Sequence, residues 1–125
     1  LSKITEARPV TDRGLTNEQK TVAAEALAKA AGRLASGGPD DLVSSLDVTT
    51  LVGAMVYEVA ARDGIRGGRE ISRAALDAVG DVPDGVTRVE FAVTAAKAAG
   101  MLDFDWSGDN SRLIPGIAEV LGAEQ

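Results

Sequence analysis

The sequence predicts a mainly α fold, a small helical domain with a C-terminal β-hairpin. Three observations predict it. Apolar residues recur every three or four positions in separate segments between residues 16 and 100. Glycines or a proline follow those segments where a helix has to stop. After Gly100 the pattern changes from helical spacing to strict alternation, which is the period of a strand.

Each element has a local reason. Residues 1–15 mix charge, Pro9 and small polar residues without a period and read as a flexible arm. Thr16 and Gln19 have the form of a capping box, in which hydroxyl and amide each satisfy an otherwise unpaired backbone N–H. A helix over 16–35 follows, with Ala23, Leu27, Ala30 and Leu34 on one face. Glu25, Lys29 and Arg33 lie on another face, with Glu25 and Lys29 spaced for an i,i+4 pair. Ser36-Gly37-Gly38-Pro39-Asp40 ends the helix, because proline cannot continue it. Residues 36–46 then read as a linker.

Asp47 is the expected N-cap of a second helix, whose Leu51, Val52, Met55, Val56 and Val59 form the expected centre of the core. Gly53 inside it costs about 1 kcal/mol relative to alanine, so it marks either a close backbone approach or a tolerated position. Gly64 ends this helix. A third runs from about Arg69 to Val79, with Ile71, Ala75 and Val79 inward and Gly80 as a left-handed cap. Thr87 and Glu90 repeat the capping-box form and open a fourth, with Val89, Val93 and Ala96 at heptad-like spacing and Gly100 as its stop. Leu102, Phe104 and Trp106 then alternate with Asp103 and Asp105. Ser107-Gly108-Asp109-Asn110 supplies a turn, Ser111 to Ile114 a returning strand, and a short last helix runs to about Leu121. No internal repeat is legible.

The run Ala95-Ala96-Lys97-Ala98-Ala99-Gly100-Met101-Leu102, a polar turn, and Arg112-Leu113-Ile114-Pro115-Gly116 resemble the end of the recognition helix, the wing and the closing helix of winged helix-turn-helix regulators. The resemblance covers a core of residues 47–122. It implies that the third and fourth helices form the helix-turn-helix pair and that Arg88, Glu90, Phe91 and Thr94 face a major groove. Two features depart from the family. The connection between those helices is long, and Asp103, Asp105 and Asp109 crowd the wing, where a DNA reader places cations to neutralise phosphates.

Composition narrows the function classes. The 125 residues suit one domain, which buries about two thirds of its unfolded surface without a metal or disulfide. Only Phe91, Phe104, Tyr57 and Trp106 are aromatic, so the core must be built from Ala, Val and Leu. Cysteine and histidine are both absent, which removes thiolate metal sites, cysteine nucleophiles and every Ser-His-Asp arrangement. The apolar runs fall short of the ~20 residues of a membrane span, and the start does not read as a signal peptide. Residues 1–40 hold six Lys or Arg against five acids, and residues 41–125 hold seven against fourteen. The expected folded core therefore carries the acidity, which disfavours nonspecific nucleic-acid affinity.

Few residues point to chemistry. Arg62, Arg66, Arg69 and Arg73 surround Gly64-Ile65-Arg66-Gly67-Gly68, where glycines, helix N–H groups and guanidinium groups could hold an anion or a partner. The alternative is structural, with Arg62 paired to Glu58 and Arg73 to Asp77. Asp103, Asp105, Ser107, Gly108 and Ser111 match five positions of an EF-hand calcium loop, but Ile114 stands where the bidentate glutamate belongs, so no metal is expected. Phe104 and Trp106 read as core, or alternatively as a contact surface. Tyr57 reads as a boundary residue with its hydroxyl in water. The expectation is a noncatalytic, cytoplasmic protein-interaction or regulatory module without a cofactor. Its partner would be another protein, with a second copy of the chain as one candidate, and Arg88, Glu90, Asp103, Asp105, Trp106 and Asp109 would form its surface. The alternatives are a DNA-binding regulator using the arginine-rich loop and a small ligand-binding or enzymatic domain.

Overall fold

A computed structural model describes residues 14–36, 41–81, 85–112 and 114. Residues 1–13 of the expected arm, most of the helix stop after Ser36 and the expected last helix lie outside these residues. In chain order the elements are α1 (Asn17–Ala35), β1 (Leu42–Val43), α2 (Ser45–Asp63), α3 (Gly68–Val79), β2 (Val86–Thr87) and α4 (Arg88–Met101), followed by a short 3-10 helix (Gly108–Arg112).

Three helices begin with reciprocal capping boxes. Thr16 with Gln19 and Thr87 with Glu90 stand as their spacing predicts. The third corrects an expectation: Ser44, not Asp47, is the N-cap of α2, and Asp47 is its reciprocal partner, receiving a hydrogen bond from the Ser44 N–H at 3.3 Å. The pairing of serine with an acid three residues on places the helix start three residues earlier than Asp47 alone suggests. Gly64 closes α2 in the left-handed conformation, with the Ile65 N–H donating to the Ala60 carbonyl. Gly80 ends α3 at positive φ, but its ψ of −166° is extended rather than left-handed.

Helix α1 is the centre of the molecule. Val22, Ala23, Ala24, Ala26, Leu27, Ala28, Ala30, Ala31 and Leu34 are all buried, which covers far more than one face. It packs on α4 most extensively and also on α2 and α3. Alanine allows this, because a helix surface without long side chains lets three neighbours approach it together. The stripe of α2 supplies Val48, Val52, Met55, Val56 and Val59, and α3 supplies Ile71, Ala74, Ala75 and Val79. Each of the larger side chains contributes about 1.5–3 kcal/mol by leaving water. The inner face of α4 is Phe91, Ala92, Ala95, Ala96, Ala98 and Ala99, whereas Val89 is exposed. Of the expected Val89, Val93 and Ala96, Ala96 is buried, Val93 half-buried and Val89 exposed.

The expected C-terminal hairpin is not formed among the described residues. Instead of stopping at Gly100, α4 continues to Met101, and Asp103 at φ 68° ends it. The Phe104 N–H reaches the Ala99 carbonyl and the Asp103 N–H reaches that of Gly100, the paired bonds of a Schellman motif. Asp105 accepts from both the backbone N–H and the hydroxyl of Ser107, and the Asn110 side chain donates to the Asp105 carbonyl at 2.7 Å. These local bonds curl 105–112 into a turn and a 3-10 helix, so alternation here did not report a strand. Trp106 donates its indole N–H to the Ala96 carbonyl and stacks edge-on against Phe104, with ring centroids 4.8 Å apart. Ile114 is buried against Ala31, Ala95 and Ala96.

The antiparallel pair that does form is β1 with β2, in register Leu42↔Thr87 and Val43↔Val86. One strand precedes α2 and the other precedes α4, so the chain is two helix–strand–helix halves joined through their strands. The repetition is architectural and was invisible in the residues.

Candidate functional site

The arginine cluster divides when its side chains are placed. Arg62 makes a two-pronged bond to Glu25 of α1, at 2.6 and 2.9 Å, and another to Asp63. Those bonds, from Asp63 first and Glu25 second, hold its guanidinium protonated far above its ordinary range. Glu58, its expected partner, is instead 3.2 Å from Lys29. The expected Glu25–Lys29 and Glu58–Arg62 pairs are thus exchanged for pairs across the α1–α2 seam, because two helices in contact bring opposite charges closer than one turn does. Arg62 belongs to that seam and not to an anion site.

Arg66, Arg69 and Arg73 are exposed and make no ion pair with a described residue. Arg69 and Arg73 line a cleft of about 230 Å³ with Glu70 and Ala74. The glycines beside them have a packing role. A side chain at Gly68 would place its Cβ 2.5 Å from the Tyr57 ring, and Gly67 adopts φ +91° against the Gln19 amide, which donates to the Arg66 carbonyl. Gly67 and Gly68 therefore seat α3 against α2 and α1.

Residues expected on a groove-reading or acidic surface are largely occupied by structure. Arg88 donates from Nε to the Leu34 carbonyl at 3.0 Å and from Nη2 to that of Arg33 at 2.9 Å. It satisfies the unpaired C-terminal carbonyls of α1, where a cation also complements the helix dipole. Phe91 is buried, so it cannot face a groove. Glu90 accepts from the backbone N–H and hydroxyl of Thr87, which hold its carboxyl below the usual range, the backbone bond contributing most. The Ser107 hydroxyl, and next its N–H, do the same for Asp105. Asp103 pairs with Lys20 at 2.8 Å, and Asp109 is exposed in the 3-10 helix.

A cleft of about 370 Å³ between α1 and residues 102–105 is lined by Lys20, Glu25, Asp103 and Asp105, among others. Its charges are already engaged with one another or with neighbours. No group of three metal-capable side chains occurs among the described residues, and no described helix is long and apolar enough to cross a membrane.

Sequence reasoning missed the surface at the strands. Leu42 is 66% exposed, Leu46 73% and Val89 45%. Leu42 lies opposite Thr87, the cap of α4, and Val89 follows that cap by two residues. One signal was present: Leu46 lies with Thr49, Thr50, Gly53 and Tyr57, off the apolar stripe of α2. The chain matches no known family model, and neither a characterised protein nor a solved structure is significantly similar to it.

Proposed function

We propose that this chain is a noncatalytic protein-interaction or regulatory module. The observation that carries this reading is the exposure of Leu42, Leu46 and Val89 around the β1–β2 pair. Apolar side chains left in water at the edges of a short ladder are the usual material of a contact surface. The noncatalytic part rests on chemistry. The sequence holds no histidine and no cysteine, which removes the commonest general base and the thiol nucleophiles. Capture of partners from the native host on the tagged chain, followed by mass spectrometry, tests the reading. A recurring protein partner is expected, and recovery of nucleic acid alone or of nothing overturns it.

A second reading, a DNA-binding regulator, is favoured by one observation: Arg66, Arg69 and Arg73 are exposed and make no ion pair among the described residues, and Arg69 and Arg73 stand one turn apart on α3. The winged-helix resemblance lends it no docking geometry, because residues 101–112 form no wing. A gel shift at low salt that disappears with Arg66→Ala and Arg69→Ala together would place this reading first.

A further inference from the structure

The surface around the β1–β2 pair carries the same motif twice. Ser44 and Thr87 are the N-caps of α2 and α4, and each is followed by an exposed apolar residue at the second helical position and an acid at the third. These are Leu46 with Asp47, and Val89 with Glu90. The antiparallel register relates the two by a local two-fold through the ladder, and Leu42 projects from its outer side next to the exposed Asp41. Both acids are fixed in place by their capping boxes. Arg88, the first residue of α4, donates to the carbonyls of α1 and keeps its charge beside this face.

The balance of charge is negative. Two helix N-termini contribute about half a positive charge each and Arg88 about one more, against full charges on Asp41, Asp47 and Glu90, leaving about one negative charge around three apolar side chains. A second copy of the chain docked face to face would oppose acid to acid. A partner with an apolar centre and cations at both ends meets both needs, since charge complementarity sets the choice of partner and apolar burial holds it.

Resting on the interaction reading above, we infer that the face formed by Leu42, Leu46 and Val89 docks a short basic, apolar-centred segment of another protein, with Asp47 and Glu90 each receiving one of its cationic ends.

The test uses a fluorescein-labelled twelve-residue peptide with leucines at its centre and two lysines at each end, titrated with the full chain and read by anisotropy. Micromolar binding is expected, weakened at least tenfold by Leu42→Ser with Val89→Ser and by raising salt from 50 to 300 mM. In the unmodified protein, amide shifts on adding peptide should centre on residues 42–46 and 87–90, a readout independent of any variant. Equal binding of a peptide with glutamates in place of the lysines, shifts centred elsewhere, or no binding at 1 mM overturns the inference. A dimer in sedimentation that Leu42→Ser converts to monomer assigns the face to a second copy and overturns it as well. A host protein captured equally by the wild type and the double variant also overturns the surface while keeping the interaction reading. Capture of no protein at all removes the reading itself.

Discussion

The two halves of the molecule, α1–β1–α2 and α3–β2–α4, follow the same order of elements and differ in what their first helices do. Helix α1 has nineteen residues and is buried on nearly every side, whereas α3 has twelve and turns Arg69 and Arg73 to water. Both second helices start from a strand and a capping box. Local chemistry alike in kind therefore builds a central helix in one half and a covering helix in the other. Length and the breadth of apolar surface decide which becomes which, because a helix apolar all round is stable only when neighbours enclose it.

The comparison breaks most visibly at the fourth residue of each second helix. Phe91 and Val48 occupy equivalent positions and are both buried. Phe91→Ala should cost about 3–5 kcal/mol, and Val48→Ala about 2, in denaturant unfolding. Equal losses would show that the halves share the core evenly.

A middle-sized effect separates the arginines. Arg88→Ala should cost about 1–2 kcal/mol, because it strips the C-terminal carbonyls of α1 of two charged hydrogen bonds. Arg66→Ala, in the exposed loop between the halves, should leave the unfolding midpoint unchanged. Replacing either N-cap, Ser44→Ala or Thr87→Ala, should cost about 1 kcal/mol, similarly in the two halves.

Smaller gains are expected at Gly53 in α2 and Gly100 in α4. An added Cβ meets nothing within 4 Å at either, and neither has a positive φ. Each change to alanine should raise stability by up to about 1 kcal/mol. Ser72→Ala should be neutral or stabilising, since the Ser72 hydroxyl oxygen is buried without a partner.

The smallest effect is on acid stability. Asp63, Glu90 and Asp105 have lower pKa values folded than unfolded, so the stability they contribute is present above the ordinary carboxylate range. It is lost as pH falls through their lowered folded values. Thermal melting followed by circular dichroism should change little from pH 7 to about 5 and decline below about 4. Glu90→Gln should make that decline shallower.

Much of the helical layout was legible because its signals are local. Capping pairs at Thr16 and Thr87, the apolar stripe of α2 and the stop at Gly64 depend on residues within a turn or two of each other. The segment after Gly100 misled because alternation of Leu102, Phe104 and Trp106 with aspartates satisfies a strand and a capped turn equally. Asp105, Ser107 and Asn110 close hydrogen bonds that a strand would leave open. The candidate surface was the least legible: Leu42 and Val89 share a neighbourhood only through a strand pairing across more than forty residues.

Sequence by itself determined where most helices begin and end, that the core is made of small aliphatic residues, and that thiol and imidazole chemistry are absent. Tertiary structure alone decided that α1 is central, that Arg62 and Arg88 hold helices together, that two distant dipeptides pair as strands and that three apolar side chains stay in water. The division follows range. Caps and turns are settled by hydrogen bonds between neighbours in the chain. Enclosure, cross-helix ion pairing and exposure depend on which surfaces meet, and no single segment specifies that.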